Sequence, residues 1–230
     1  VGISSVNLKD GSTVLINNET DAGIDAYTDY TTSVSATLNY GKSYDLSVSR
    51  VTNSNPVNYK VWIDYNIDGT FDASELVLNS GSINTLMANA TFTVPKRSLI
   101  FEGKTRMRVG SAYSNFSNTP CGVNQVGEFE DYEIVLANDG TIPVITLVGN
   151  DTISVEKGSS SNSCWDEVAS TTFNATDNTT GDLNSEIQTT SDLDCTLPGI
   201  YTICLNVEDA SGNKATTKCR TVYVVLDRTA

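Results

Sequence analysis

Apolar residues recur at every second position along most of this chain: Tyr44, Leu46 and Val48; Tyr59, Val61 and Ile63; Met107 and Val109; and the run from Ile200 to Val207. A period of two puts these side chains on one face of a strand and the polar remainder on the other, whereas an amphipathic helix needs a period near 3.6. Between the runs lie turn-forming clusters such as Asn79-Ser80-Gly81 and Thr179-Thr180-Gly181-Asp182, whose short polar side chains bond to their own backbone and compete with helix formation. Many short strands, each with one wet face, predict an all-β fold of antiparallel sandwiches. The 230 residues accommodate two of them. A boundary is expected at Ala137 to Pro143, where a strand ending at Leu136 meets polar turn residues and a proline then opens a new strand. The expectation is two antiparallel β-sandwich domains in tandem, residues 1–138 and 139–230.

Charge narrows the function. Fourteen Lys and Arg against 28 Asp and Glu give a net −14, which repels phosphate backbones and anionic lipid, so no nucleic acid is expected as partner. Histidine is absent, which removes Ser-His-Asp and Cys-His machinery, imidazole metal sites and histidine pH switches. No apolar run reaches the ~18 to 20 residues of a membrane span. The chain reads as a soluble piece of a larger parent protein.

Cys121 stands alone in the first half, and Cys164, Cys195, Cys204 and Cys219 lie in the second. A turn at Ser211-Gly212 makes residues whose numbers have the same sum face each other across a hairpin, and Cys204 then meets Cys219. Cys164 is left to pair with Cys195. Facing Cα atoms in an antiparallel pair suit a disulfide, and two bridges predict an oxidising, secreted or cell-surface location.

Residues 64–75 read Asp64-Tyr65-Asn66-Ile67-Asp68-Gly69-Thr70-Phe71-Asp72-Ala73-Ser74-Glu75. Every diagnostic position of the calcium loop is filled. Asp64, Asn66 and Asp68 offer side-chain oxygens, Gly69 permits the sharp bend, Thr70 offers its carbonyl, Asp72 ligates directly or through water, and Glu75 closes the shell. Such hard oxygen donors select Ca²⁺ over Mg²⁺, which keeps its waters and a tighter octahedron. The flanks, Tyr59 to Ile63 and Leu76 to Leu78, alternate as strands, so the loop is expected between two strands and the ion to lock it, with no role as a helix-opening sensor.

With that loop placed, the first half resembles a GEVED domain, a β module of secreted and surface bacterial proteins found beside enzymes and adhesins. The likeness covers residues 1–137. It rests on Tyr27-Thr28-Asp29-Tyr30, the run Val61 to Gly69, Phe92 to Pro95, Thr105 to Val109, Cys121-Gly122, and the naming motif as Gly127-Glu128-Phe129-Glu130-Asp131-Tyr132. Phe129 stands where the family usually has Val, and the family's early cysteine is missing, which leaves Cys121 free or paired upstream of Val1. Residues 142–226 are similar to the Ig-like domains that repeat in bacterial surface proteins, through Pro143-Val144-Ile145, Gly149-Asn150-Asp151, Val155 to Gly158, Gly181-Asp182-Leu183, Pro198 to Thr202 and Asp209 to Asn213. The resemblance implies spacer or adhesin units.

Weaker constellations complete the candidates. Glu128, Glu130 and Asp131 invite a paired-carboxylate reading as in glycoside hydrolysis, the weaker hypothesis; Glu128 and Glu130 share a strand face and are expected to bind Arg106 or Arg108 or to supplement a metal shell. Lys104, Arg106 and Arg108 form a basic stripe suited to sulfated or uronate glycan unless carboxylates neutralise it. Tyr113, Phe116 and Trp165 are candidate stacking platforms. Asp177, Asp182 and Asp209 are a candidate second calcium site. Together these predict a noncatalytic accessory module that binds a polysaccharide or cell-surface glycan, with a plain spacer as the alternative.

Overall fold

The computed structural model describes residues 2–20, 26–96, 101–113, 119–121, 127–158, 163–165, 168, 173–179 and 181–226. Its contacts divide the chain into two compact units, Val1–Asn138 and Asp139–Ala230.

The first unit contains β1 (Ser5–Asp10), β2 (Thr13–Glu19), β3 (Tyr27–Asp29), β4 (Ser35–Asn39), β5 (Ser43–Ser49), β6 (Val57–Ile63), β7 (Leu76–Asn79), β8 (Met87–Thr93), β9 (Gly103–Tyr113) and β10 (Gly127–Ala137). One sheet runs β2-β1-β5-β8 and the other β3-β10-β9-β6-β7, with β4 also paired to β10. The alternating apolar sets of both sheets meet in one core that includes Val6, Leu8, Leu46, Val48, Tyr59, Val61, Ile63, Met107, Val109 and Tyr132. Each buried aliphatic or aromatic side chain contributes about 1.5–3 kcal/mol, which is the force that fixes strand register, since a slip by one residue would expose the whole set.

Pairing is antiparallel with exceptions at the edges. Both β3 and β4 run parallel to β10, one beside its first half and one beside its second. They act as a single edge strand broken at residues 30–34, where Tyr30 N–H donates to Asp131 O and Glu133 N–H donates to Val34 O across the break.

The second unit contains β11 (Val144–Leu147), β12 (Thr152–Glu156), β13 (Phe173–Asp177), β14 (Gly181–Asp182), β15 (Gln188–Ser191), β16 (Gly199–Asn206) and β17 (Lys218–Val225). Its sheets are β11-β13-β14 and β12-β17-β16-β15, and β12 pairs parallel to β17. Leu205 of β16 packs with Ile145 and Ala175 of the facing sheet. Cys204 faces Cys219 in the β16–β17 register and the two are bridged. A second disulfide joins Cys164 to Cys195 inside the core with Val155, Ile203 and Val222. The hairpin tip differs from a simple turn: Val207 pairs with Ala215 and Glu208 with Lys214, one residue out of step with the cysteine register, and the tip closes through Asp209 and Asn213.

Candidate functional site

Loop 64–75 leaves the end of β6 and returns as β7, the two strands being antiparallel neighbours. Its backbone takes left-handed conformations at Ile67 (φ 57°) and Gly69 (φ 81°). Gly69 adopts this at no steric cost, but a β-branched residue there is strained by about 1–3 kcal/mol and persists only where its surroundings hold it. Ile67 is held by packing on the core, and the loop start is pinned to β9: Asp64 N–H donates to Arg106 O at 3.1 Å, and Thr105 Oγ1 donates to Asp64 O at 2.7 Å.

The predicted ligand side chains turn back over the backbone that follows them. Asp64 accepts from Asp68 N (3.3 Å) and Gly69 N (3.0 Å), Asn66 Oδ1 from Asp68 N (3.0 Å), Asp68 Oδ1 from Thr70 N (2.8 Å), and Asp72 Oδ1 from Ser74 N (2.7 Å). The Asn66 amide nitrogen donates to Asp68 Oδ2 at 2.8 Å. Glu75, at the end of a 3-10 turn, reaches back across the loop, its Oε1 accepting from Tyr65 N (2.9 Å) and its Oε2 from Asp72 N (3.1 Å). The loop thus has a buried floor and an exposed rim. Asp64 is 4% exposed and Glu75 3%, while Asp68, Thr70 and Asp72 face solvent. Burial pushes the Glu75 carboxyl up from its ordinary range, against backbone hydrogen bonds that lower it. Hydrogen bonds from Thr70 hold Asp68 below that range. Among the described residues neither Asp64 nor Glu75 makes an ion pair.

Beside the loop, the outer face of β9 and β10 carries the basic stripe. Arg108 grips Asp131 with two bonds of 2.7 Å and donates to Pro120 O at 2.7 Å. Arg106 lies 3.1 Å from the same Asp131, Tyr27 OH donates to it at 2.9 Å, and Lys104 pairs with Glu133 at 2.8 Å. The Arg108 guanidinium sits 5.4–5.8 Å from the rings of Phe71, Tyr27 and Phe129, close enough for cation–π attraction. Hydrogen bonding to Asp131 holds that guanidinium all the more firmly charged. Phe71 belongs to loop 64–75, so loop and ion-pair cluster share a wall. An open cleft of about 440 Å³ is lined there by Asp64, Ile67, Gly69, Phe71, Lys104 and Arg106, among others.

Glu128 and Glu130 lie on the opposite strand face from Arg106 and Arg108, against the expectation. They share a face, as the alternation requires, but it is the inner one: Val109 faces Glu130 and Met107 faces Tyr132, whereas Arg108 faces Asp131. Glu128 (3% exposed) accepts from Ile3 N, and Glu130 (0% exposed) accepts from Tyr132 OH at 2.7 Å and Thr20 Oγ1 at 3.2 Å. Burial raises the Glu130 carboxyl above its usual range. The motif's glycine is steric: a Cβ on Gly127 would collide with Ser111 O. Gly127-Glu128-Phe129-Glu130-Asp131-Tyr132 is therefore an architectural strand. Its glycine allows close approach to β9, its glutamates tie down the N-terminal segment, and Asp131 gathers the arginines.

Of the aromatic candidates, Tyr113 packs against the core of the first unit and Trp165 against that of the second; Phe116 lies outside the described residues. In the second unit Asp177 and Asp209 come together, but with Asp139 in place of Asp182. Asp182 is exposed and instead accepts from Asn184 N.

Residues 58–135 match the GEVED domain family, and residues 145–224 match the family described as bacterial surface protein, Ig-like domain. The chain carries a GEVED domain followed by a bacterial surface-protein Ig-like domain. The loop, the stripe and the Gly127–Tyr132 motif all lie within the GEVED match. A cell surface glycoprotein of Haloferax gibbonsii is 29% identical over 181 residues, 76% of this chain and 20% of that protein. The chain thus spans about a fifth of that relative's length. Among solved structures, a lipoprotein of Bacteroides thetaiotaomicron is 30% identical over 37% of this chain and 39% of its own, with a TM-score of 0.29. Fibronectin(III)-like modules of Clostridium thermocellum CbhA are 11% identical over 82% and 88%, with a TM-score of 0.27. The Ig-like match, the surface-glycoprotein relative and the two disulfides point to an extracytoplasmic surface module.

Proposed function

We propose that this chain is a noncatalytic, calcium-stabilised accessory module of a secreted or surface-attached protein, and that the cleft beside the calcium loop receives a polysaccharide. The observation that carries the metal is the pair of buried carboxylates, Asp64 and Glu75, at the first and last loop positions with no cation against either among the described residues. Buried charges need a partner. The donors around them are all hard oxygens, the set that Ca²⁺ takes in six- to eight-fold coordination. An ion there would hold the loop against its four carboxylates and keep Ile67, Gly69 and Phe71 in place as one wall of the cleft.

Two features support a noncatalytic role. The carboxylates that suggested glycoside hydrolysis, Glu128, Glu130 and Asp131, are all buried, where a sugar cannot reach them, and the chain has no histidine to serve as general base. For the ligand, Lys104 and Arg106 remain partly exposed beside Phe71, offering donors and a ring face to a hydroxyl- or carboxylate-bearing glycan. Affinity electrophoresis in neutral and sulfated polysaccharide gels tests this: retardation in calcium should weaken on adding EDTA and in Lys104→Ala/Arg106→Ala. The competing role, a spacer without a ligand, is favoured by the neutralised Arg108 and by the packing of Tyr113 and Trp165 into the cores. Unretarded migration in every gel with calcium present would select it.

A further inference from the structure

We infer that the Ig-like unit holds a second divalent-cation site, built from Asp139, Asp177 and Asp209. One carboxylate oxygen from each lies within 4.8 Å of the others. The three come from distant segments: Asp139 precedes β11, Asp177 ends β13, and Asp209 lies in the connection from β16 to β17. All are about nine-tenths buried or more, Asp139 at 7% exposed.

Proximity of acids alone proves nothing; the independent sign is an orphaned atom. Asp139 Oδ1 accepts Thr141 N–H at 3.0 Å, but the buried Oδ2 takes no hydrogen bond among the described residues. A buried carboxylate oxygen with no donor is rare in a native fold and calls for a missing partner. Asp139 and Asp209 make no ion pair among the described residues, and a cation would relieve the repulsion of carboxylates crowded this closely.

The scaffold is already fixed for one. Asp209 Oδ1 accepts from Ser211 N and Asn213 N, both at 2.8 Å, and Asp209 Oδ2 from Asn213 Nδ2 at 2.8 Å. Asn213 Nδ2 also donates to Asp139 O at 2.6 Å, while Asp139 N–H donates to Ser211 Oγ at 3.1 Å. Asp177 Oδ2 accepts from Thr179 N at 2.8 Å. Each of these bonds turns a carboxylate or holds its backbone, and none of them supplies charge. Three carboxylate oxygens without nitrogen or sulfur donors suit a hard cation, Ca²⁺ before softer metals. The ion would staple the segment that enters β11 to the two connections beside it.

The test uses the full chain carrying Glu75→Gln, so that the loop 64–75 does not contribute. Calorimetric titration with CaCl₂ should still detect one bound ion. Adding Asp139→Asn should weaken that binding by about tenfold or more, because affinity follows the charge count of the ligands. In EDTA the same substitution should raise the melting temperature of the Ig-like unit, since it keeps the Thr141 bond and removes one of three crowded charges. Asp177→Asn, which leaves the entry segment untouched, should weaken binding as well. No calcium uptake by the Glu75→Gln chain, or uptake indifferent to both aspartate substitutions, overturns the site. Uptake that ignores Glu75→Gln but falls with Asp139→Asn would instead refute the loop and leave this site standing.

Discussion

Replacing Asp131 by Asn removes the charge on which the cluster behind the loop converges. Its carboxylate is wholly buried and takes two 2.7 Å bonds from Arg108, a 3.1 Å contact from Arg106 and a 2.9 Å bond from Tyr27. Asn offers one oxygen where two were used, and in either orientation its amide nitrogen must face a guanidinium N–H, donor against donor. Removing one partner of a buried pair costs about 3–5 kcal/mol. The Arg108 side chain is 17% exposed, so it regains some hydration and the lower end, about 3 kcal/mol, is expected. For a unit of this size each kcal/mol moves the melting temperature by ~3 °C, hence a fall of about 9 °C. Scanning calorimetry of the full chain in calcium should show the shift in the transition of the first unit only. Asp131→Leu combined with Arg108→Met should lose less than Asp131→Asn, because it leaves no buried charge unpartnered. A fall of less than about 1 kcal/mol in Asp131→Asn, within the range of an exposed pair, would refute the assignment of Asp131 as the hub.

Glu130 predicts a pH dependence. Burial raises its folded pKa above the ordinary 4.5, so the folded state binds more protons than the unfolded one, and this residue's contribution to stability falls as pH rises through the window above 4.5. Glu130→Gln should flatten that slope in denaturant melts between acid and neutral pH; an unchanged slope would count against a buried, strained carboxyl. Gly127→Ala should destabilise the first unit by about 1–3 kcal/mol through overpacking against Ser111 O, and a neutral result would mean that β9 and β10 separate freely. Chain-entropy estimates give about 3.7 kcal/mol for the 31-residue span of Cys164–Cys195 and about 3.0 for the 15-residue span of Cys204–Cys219. Paired Cys→Ala variants should therefore lower the second transition in that order, and no change in either would contradict the bridges.

Strand content, the loop between β6 and β7 and the Cys204–Cys219 pairing were legible because each follows from local rules: alternation, ligand spacing and hairpin register. The misplaced glutamates show where such rules stop. Alternation put Glu128 and Glu130 together but did not say which face was buried, although the same parity continues into Tyr132, Ile134 and Leu136, and that apolar continuation was the available signal. Asp139 was hidden for a different reason. It sits among turn residues at a boundary, and only the path of the chain brings it beside Asp177 and Asp209, whereas Asp182 is drawn away by its bond to Asn184. The parallel edges at β3, β4 and β12 likewise depend on long-range pairing that no local pattern encodes.

Diffraction from crystals grown in calcium, with anomalous data, would bear most directly on the proposal that loop 64–75 holds Ca²⁺. The expected map shows one ion ringed by Asp64, Asn66, Asp68, the Thr70 carbonyl, Asp72 and Glu75, with six to eight oxygens at about 2.3–2.6 Å. A well-resolved map with only water between Asp64 and Glu75, and no anomalous peak there, would contradict it.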